Sequence, residues 1–309
     1  MKIQKVALIG AGAVGSYFVS GLAGKPEIDF TLIAEGERKK RLSEGLRING
    51  QLYMPPVRTP KEAGCADLVL IAVKYAAVRE AAALASGLVA ENTIVLSLLN
   101  GIDSEEIVGE YIGKEHIMLS LMRIQSSRTG RECRFDPDAT AGLFFGEPET
   151  GEETERERAV EELFDGTGIR CTRVADMRGE MWNKFAGNIA SNLPQAMVGA
   201  GYGAYRDSEH VAWMRRRLNE EVHAVAGALG IVIPKMSEKA ARNWKGVEKA
   251  ARFSTLQDLD AGRHTEVDMF LGVLIRLAKE HDVPVPYSEF AYHMIKALEE
   301  KNDGLFDYA

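Results

Sequence analysis

A strand, a glycine-rich turn and a helix follow one another at the amino terminus, and this succession constrains the fold most strongly. The apolar segment Val6 to Ile9 runs directly into Gly10-Ala11-Gly12-Ala13-Val14-Gly15, and the residues up to Ala23 have helical character. In a dinucleotide-binding turn the first glycine allows the tight bend, the second lets the pyrophosphate approach the backbone, and the third permits close helix packing. Such spacings arise by chance among 30 glycines. The strand and helix on either side therefore carry the prediction of a dinucleotide site.

The next predicted strand, Phe30 to Ala34, supplies a second feature of such sites. It ends at Glu35, and an acidic residue at this point bonds the ribose 2′-hydroxyl in NAD-binding folds. A basic run, Arg38-Lys39-Lys40-Arg41, follows closely. This run supplies either a phosphate site or only the solvated start of a helix.

Apolar strands alternate with helices through the first half of the chain. Strands are predicted at 67–73, 93–98 and 116–124, and a helix at about 76–88. Continuous apolar strands of this kind belong to a parallel sheet covered on both faces. After Asp176 the helical period dominates, at 211–229, 234–251, 264–281 and 288–301. The sequence therefore predicts an α/β fold, with a dinucleotide-binding Rossmann-type parallel-sheet domain at 1–175 and an all-helical substrate and dimerisation domain at 176–309.

Composition and charge exclude several classes of function. The 309-residue chain has a net charge of -7, and its basic runs are no longer than four residues, which argues against nucleic acid as a partner. No apolar run approaches the roughly 18 residues of a membrane span. The three cysteines, Cys65, Cys133 and Cys171, match no zinc spacing, and no signal peptide is evident. We therefore expect a cytoplasmic protein without a metal site.

Three polar residues in an otherwise apolar helical run are candidates for the chemistry. Lys184, Asn188 and Asn192 are spaced four apart, so they fall on one narrow stripe of a helix. A stripe of this kind can present a proton donor to a ligand in a cleft. Alternatively, its side chains are only solvated or hydrogen-bonded to the backbone. The apolar residues beside it are predicted to be buried: Met181, Trp182, Phe185 and Ile189.

Further polar candidates stand at strand ends and in the helical region. Lys74 and Asn100 each follow a predicted parallel strand, at the edge where open α/β sheets bind ligands. Taken singly, they are equally well read as a solvated lysine and an Asn-Gly turn. Ser254 and Glu266 lie in polar segments that could face Lys184, although Glu266 also suits the amino-terminal charge of a helix.

Together these residues resemble the ketopantoate reductase (2-dehydropantoate 2-reductase) family. The resemblance covers most of the chain in the right order, and it is carried by the strand-glycine start, Val73-Lys74, Asn100-Gly101, Trp182-x-Lys184 with Asn188 and Asn192, Ser254-x-Leu-Gln-Asp258, and Gly262-Arg-x-Thr-Glu266.

The resemblance implies a role for each position. Lys184 would be the general acid, and Asn188, Asn192 and Ser254 would hold the substrate. Asn100 would lie between substrate and cofactor. Lys74 and the turn from Gly10 to Gly15 would bind the cofactor, and Glu266 would sit beside the nicotinamide ribose of the cofactor or the substrate hydroxyl. Physical reasoning agrees with the role of the lysine: a hydride arriving at a ketone leaves an alkoxide, which a nearby ammonium stabilises and protonates. Partial burial lowers a lysine pKa toward neutrality, which suits this task.

Three positions depart from the family pattern. Ala34-Glu35 stands where an arginine often binds the 2′-phosphate, so the resemblance implies NADP(H) while Glu35 keeps NAD(H) open. Phe253 ends a segment where an asparagine or lysine is commonly expected, and Tyr202 replaces a substrate-binding asparagine of some members. The last two departures affect the choice of 2-keto acid and leave the hydride chemistry intact.

We therefore expect an oxidoreductase that reduces a small 2-keto acid with NAD(P)H. Ketopantoate, reduced to pantoate in pantothenate and coenzyme A biosynthesis, is the first candidate. The alternatives are a related hydroxy-acid or opine-type dehydrogenase and a non-catalytic NAD(P)-binding sensor. The apolar surface of the helical region also leads us to expect a homodimer.

Overall fold

A computed structural model describes residues 1–149, 151–235 and 246–306. The chain forms two compact units, Met1–Arg178 and Gly179–Ala309. The division falls within the first turn of a long helix, Met177–Val198, close to the boundary that the sequence predicts at 175/176. The binding role assigned to each domain stays a prediction.

The first unit is built on an eight-stranded sheet in the order β12-β11-β8-β7-β6-β1-β2-β5. The strands from β5 through β2, β1, β6 and β7 to β8 are parallel, which is the 3-2-1-4-5-6 order of a Rossmann fold. β11 joins β8 antiparallel, and β12 is parallel to β11. The strands of this sheet are β1 Lys5–Ile9, β2 Asp29–Ile33, β5 Val57–Arg58, β6 Leu68–Ile71, β7 Ile94–Ser97, β8 Ile117–Arg123, β11 Gly142–Gly146 and β12 Cys171–Arg173. The predicted fold class is confirmed.

Helices pack against this sheet and bury its strands. All four residues of β6 are buried, as are all four of β7, which explains why these strands are apolar throughout. The aromatic residues Phe18, Phe145 and Phe164 belong to the same core. The helices of this unit are α1 Ala13–Leu22, α2 Gly36–Ser43, α3 Pro60–Ala63, α4 Val78–Ser86, α5 Ser104–Ile112 and α6 Glu155–Phe164.

A small second sheet, in the order β4-β3-β10-β9, was not expected from the sequence. Its strands are β3 Leu46–Ile48, β4 Gln51–Tyr53, β9 Ser126–Thr129 and β10 Glu132–Phe135. Between residues 126 and 155 the sequence pattern indicates turn formers and charges around one short apolar piece, Leu143-Phe144-Phe145. The strands are short and half-exposed to solvent, and only scattered residues such as Ile48 and Cys133 are buried. The sequence therefore shows no clear alternation of apolar and polar residues there.

The second unit is helical in its described parts, as predicted. It contains most of α7 Met177–Val198, then α8 Ala204–Asp207, α9 Glu209–Ala228, α10 Ser254–Asp260, α11 Val273–Glu280 and α12 Pro286–Asn302, with a π-helical turn at Asp268–Gly272 before α11. The helix expected at 264–281 therefore starts later than predicted.

The helix expected at 234–251 lies largely in 236–245, outside the described residues. Its last part, 246–251, forms turns. The carbonyls of Lys249 and Ala251 there accept hydrogen bonds from the amides of Gly203 and Tyr202, which replaces helical pairing.

Within the described ranges, no helix combines the length and apolar character that crossing a membrane requires. The same ranges contain no group of three or more His, Cys, Asp or Glu side chains arranged to hold a metal ion. The three cysteines are free thiols.

Candidate active site

The carboxyl ends of four parallel strands are level with one another in the first unit. Ile9 pairs with Ile33 on one side and with Ile71 on the other, and Ile71 pairs with Ser97. The predicted cofactor residues of this unit follow these strand ends within a few residues: Gly10 after β1, Glu35 after β2, Lys74 after β6 and Asn100 after β7. Sheet pairing therefore brings them to one edge, at the point where the strand order reverses.

The glycine turn has the geometry of a dinucleotide cradle. Gly10 has φ +100°, and a Cβ on it would lie 2.5 Å from the carbonyl oxygen of Ala72. A Cβ on Gly15 would lie 2.0 Å from the carbonyl oxygen of Gly10, whereas a Cβ on Gly12 would meet nothing within 4 Å. Gly12 caps α1, whose first turn contains no acidic side chain. The turn is thus closed at its two outer glycines and open at the middle one, which fits a pyrophosphate at a helix amino terminus.

The charged residues that follow β2 differ in whether they are paired. Glu35 is exposed at the N-cap of α2, and its side chain makes no capping bond. Lys39 is bonded to Glu62, and Lys40 is bonded to Glu37. Hydrogen bonding to the Lys39 ammonium is the main reason why the pKa of Glu62 falls to about 2. Two of the four basic residues are therefore held by carboxylates, while the exposed carboxylate of Glu35 makes no capping bond.

A side-chain bridge joins the loops that carry Lys74 and Asn100. Lys74 is exposed and precedes a short 3₁₀ turn, Tyr75–Ala77. The hydroxyl of Tyr75 donates to Oδ2 of Asp103 at 2.7 Å, and Asp103 is buried at the start of α5. This bridge was not foreseen from the sequence. The one local signal is the position of Asp103 directly before a helix.

The polar stripe lies on α7 as predicted. Lys184 and Asn188 are half-buried, and Asn192 is 7% exposed. The Nδ2 atom of Asn192 donates to Oγ of Ser254, an exposed residue at the start of α10, at 3.4 Å. Two predicted substrate residues, far apart in sequence, are therefore in contact. The flanking residues are buried as expected: Met181, Trp182, Phe185 and Ile189.

A proline interrupts α7 just after Asn192, and a tyrosine hydroxyl repairs the break. Pro194 lies inside the helix. The amide of Gln195 donates to the hydroxyl of Tyr205 at 3.1 Å, and that hydroxyl donates to the carbonyl of Ser191 at 2.6 Å. The hydroxyl thus stands between a helical donor and acceptor that would otherwise bond each other. Burial raises the pKa of Tyr205, so its proton stays in place.

The side chain of Gln195 holds the segment before Ser254. Its Oε1 atom accepts from the amide of Phe253 at 2.6 Å, and its Nε2 atom donates to the carbonyl of Ala251 at 3.0 Å. Tyr202, 3% exposed, packs its ring 5.5 Å from that of Phe253. The two aromatic departures from the family pattern therefore pack together, directly before a candidate substrate residue. Gln195 gave no signal in the sequence beyond its place on the same helix.

Glu266 is half-buried and directly precedes the first turns of the helical segment that leads to α11. Its carbonyl accepts from the amide of Phe270 at 3.1 Å. It belongs to the second unit, together with Lys184, Asn188, Asn192 and Ser254, whereas the glycine turn, Lys74 and Asn100 belong to the first.

A Rossmann sheet with an open dinucleotide turn, together with a half-buried lysine that shares a helix face with two amides, is typical of a nicotinamide-dependent oxidoreductase. Two family models narrow this class. Residues 6–146 match the model described as "Ketopantoate reductase PanE/ApbA", and residues 176–299 match "Ketopantoate reductase PanE/ApbA C terminal". The chain belongs to the ketopantoate reductase family.

Individual relatives agree with this assignment. The 2-dehydropantoate 2-reductase of Mesorhizobium japonicum is 25% identical over 325 aligned positions, which cover 96% of this chain and 98% of that protein. A crystal structure of a ketopantoate reductase from Ralstonia eutropha is 26% identical, with a TM-score of 0.83 over 97% of this chain and all of the other. At the level of the family, these matches confirm an oxidoreductase that acts in 2-dehydropantoate reduction.

A related fold occurs in another hydroxy-acid enzyme. The ternary structure of D-mandelate dehydrogenase with NADH and anilino(oxo)acetate has a TM-score of 0.80, over 97% of this chain and 99% of the other, at 20% identity. This likeness concerns the fold alone.

Proposed function

We propose that this enzyme reduces ketopantoate to pantoate, with Lys184 as the proton donor. The observation that carries the proposal is the stripe on α7, where a half-buried lysine shares one helix face with two amides, one of them bonded to Ser254. Substrate-binding groups and a proton donor are thus held on connected elements of one unit.

The glycine turn would hold the pyrophosphate of a nicotinamide cofactor, and Lys74 would neutralise part of its charge. Asn100 would orient the nicotinamide end and contact the substrate, and Glu266 would bind the ribose. The bound cofactor supplies the hydride. The open space at Gly12 and the level strand ends support this placement.

The groups of the chain itself provide the remaining chemistry. The ammonium of Lys184 stabilises negative charge on the substrate carbonyl oxygen and then gives that oxygen a proton. Asn188, Asn192 and Ser254 hold the keto acid by hydrogen bonds, which keeps its carbonyl oriented toward the lysine. Lysine suits this role because its three donors serve both the oxygen and the neighbouring acceptors.

We infer from the local charges that NADH is used at least as well as NADPH. The family resemblance implies NADP(H), but the carboxylate of Glu35 would repel a 2′-phosphate and accept a bond from a free 2′-hydroxyl. Lys39 and Lys40 are already bonded to glutamates, which weakens the alternative that this basic run binds the phosphate.

A second candidate function is the reduction of a different 2-keto acid by the same chemistry, as in a hydroxy-acid or opine-type dehydrogenase. The packed rings of Tyr202 and Phe253, where polar residues were expected, favour a changed substrate pocket. A panel of 2-keto acids separates the two candidates. A non-catalytic sensor is disfavoured, since a sensor needs no proton donor among substrate-binding amides.

The direct test is the loss of absorbance at 340 nm with ketopantoate, run with NADPH and NADH in parallel. We expect Lys184→Met to lower kcat/KM by about 10² to 10⁴-fold, since general acids contribute on this order. Lys279→Met removes an exposed lysine of α11 and is the matched control.

A Lys184→Met enzyme that retained more than about a tenth of the wild-type kcat/KM would overturn the general-acid role. If the wild-type enzyme bound cofactor but did not oxidise it with ketopantoate, the substrate would be a different keto acid.

Cytoplasmic location and a homodimer are also proposed. Free thiols suit a reducing compartment. Exposed apolar side chains of α12 and the neighbouring α9 would suit a second copy: Trp213, Tyr287, Phe290 and Met294.

A further inference from the structure

A buried carboxylate in the second unit is not used by the proposed chemistry. Glu299, on α12, is 2% exposed. Its Oε1 atom accepts from both the amide and the hydroxyl of Thr265, at 2.7 and 2.6 Å, and its Oε2 atom accepts from Nζ of Lys296 at 2.8 Å. Nδ1 of His264 lies 3.6 Å from Oε2. A buried carboxylate is costly unless it is paired in this way, and here the partners fix the residue directly before Glu266.

The same helix also holds the chain just after Glu266. The hydroxyl of Tyr292 donates to Oδ1 of Asp268 at 2.7 Å, and Nζ of Lys296 lies 3.4 Å from Oδ2. The ammonium of Lys296 therefore contacts the carboxylates of both Asp268 and Glu299, and the hydrogen bond to Glu299 is the main cause of the raised pKa of Lys296. Three side chains of α12 thus fix the segment on either side of one glutamate.

Backbone hydrogen bonds complete the support. The hydroxyl of Thr265 accepts from the amide of Val267 at 3.1 Å, so one side chain links Glu299 to the start of the helix. The π-helical turn at Asp268–Gly272 follows at once. Turns of this type occur frequently at functional sites.

We propose that Glu299 is a positioning residue: through Thr265 it fixes the direction in which Glu266 presents its carboxylate to cofactor and substrate. This inference rests on the role given to Glu266 in the proposed function. A group that must meet its ligand within a fraction of an ångström needs such support, because a small misplacement sharply reduces turnover.

Removing one charge tests the link. Glu299→Gln keeps the size of the side chain but can accept hydrogen bonds at only one of its two terminal atoms, so an amide donor opposes either Lys296 or the donors of Thr265. We expect kcat/KM to fall by at least about tenfold and the dissociation constant of NADH or NADPH, measured by titration calorimetry, to rise several-fold. Glu300→Gln makes the same charge change on the exposed neighbour and should leave both quantities within about twofold.

A double-mutant cycle separates positioning from simple structural support. If Glu299 acts through Glu266, then adding Glu299→Gln to Glu266→Gln changes kcat/KM and the dissociation constant by less than about twofold. If the two effects multiply in full, Glu299 serves only the fold and the inference is overturned. Should Glu299→Gln fail to fold, Thr265→Val removes the hydroxyl that bonds Glu299 and Val267, keeps the carboxylate and its bond from the Thr265 amide, and enters the same cycle.

The cycle also distinguishes two kinds of failure. If Glu266→Gln alone changed neither quantity, the assigned role of Glu266 would be wrong and this inference with it, while the assay of Lys184 would still decide the reaction. If Glu266→Gln impaired the enzyme and Glu299→Gln did not, only the positioning role would be lost.

Discussion

A single carboxylate, Glu35, stands where we propose that the choice between two cofactors is made. It is exposed, makes no capping bond to α2, and follows a strand whose end is level with the glycine turn. At residue scale, the preference for NADH or NADPH depends on the charge beside the 2′ position of the ribose. A 2′-phosphate beside a carboxylate is repelled, whereas a hydroxyl can donate to it.

We expect Glu35→Gln to shift the ratio of kcat/KM for NADPH over that for NADH by at least about tenfold toward NADPH, because a like-charge contact is removed. Steady-state rates with both cofactors measure the ratio. Glu27→Gln, an exposed glutamate before the opposite end of β2, should leave the ratio unchanged. A ratio that did not move in Glu35→Gln would mean that Glu35 does not meet the ribose.

Residue-scale features divide into those that the sequence predicts and those that it does not. The placement of Gly10, Lys74 and Asn100 at one edge of the sheet could be predicted because each follows an apolar strand within three residues, while their binding roles stay predictions. Gln195 and Glu299 could not, because their partners lie 58 and 34 residues away and create no local pattern. Long-range pairs of this kind depend on the fold being known.

At the scale of elements, α7 is the helix on which most of the proposed substrate chemistry depends. Pro194 removes one amide from it, and Tyr205 spans the neighbouring gap between Gln195 and Ser191. The repair therefore lies one turn or less from Asn192.

We expect Tyr205→Phe to lower the free energy of unfolding by about 1–3 kcal/mol, since a buried amide and a buried carbonyl each lose a partner. Urea unfolding followed by tryptophan fluorescence measures this loss. Tyr287→Phe, in the same unit and 41% exposed, is the control and should change stability by less than about 0.5 kcal/mol. Equal stability of both variants would show that the hydroxyl bridge contributes nothing.

Helices and strands with a strong pattern of apolar residues could be predicted from the sequence, and those with a weak pattern could not. β6 and α7 show long apolar patterns because they are buried on most sides. β3 and β9 are only three and four residues long, and β9 is almost wholly solvated, so burial places no constraint on its sequence. The π-helical turn before α11 was predicted as ordinary α-helix, since the spacing of its apolar residues resembles that of an α-helix.

At the scale of the whole molecule, cofactor binding should appear as resistance to unfolding. A ligand that binds only the folded protein stabilises it by about 2.7 kcal/mol at a hundred times its dissociation constant. We expect the better cofactor to raise the thermal midpoint of the wild-type protein, and Gly12→Ala to lose most of that rise. The new methyl group meets open space in the free protein, so its midpoint without cofactor should match the wild type.

Gly15→Ala provides the contrast. Its Cβ would lie 2.0 Å from a backbone oxygen, so this variant should unfold at a lower temperature with or without cofactor. If cofactor raised the thermal midpoint of Gly12→Ala as much as that of the wild type, the pyrophosphate would bind elsewhere.

The glycine turn also carries a consequence for synthesis on the ribosome. β1 emerges before β6, with which it pairs, and the bend at Gly10 is packed against the carbonyl of Ala72. One edge of β1 can pair with β2 early, but the other edge stays unpaired until more than sixty further residues, up to β6, have left the exit tunnel. During that interval the nascent chain has no nucleotide site and no ligand to protect it, so the emerging strand is a natural point of contact for a chaperone.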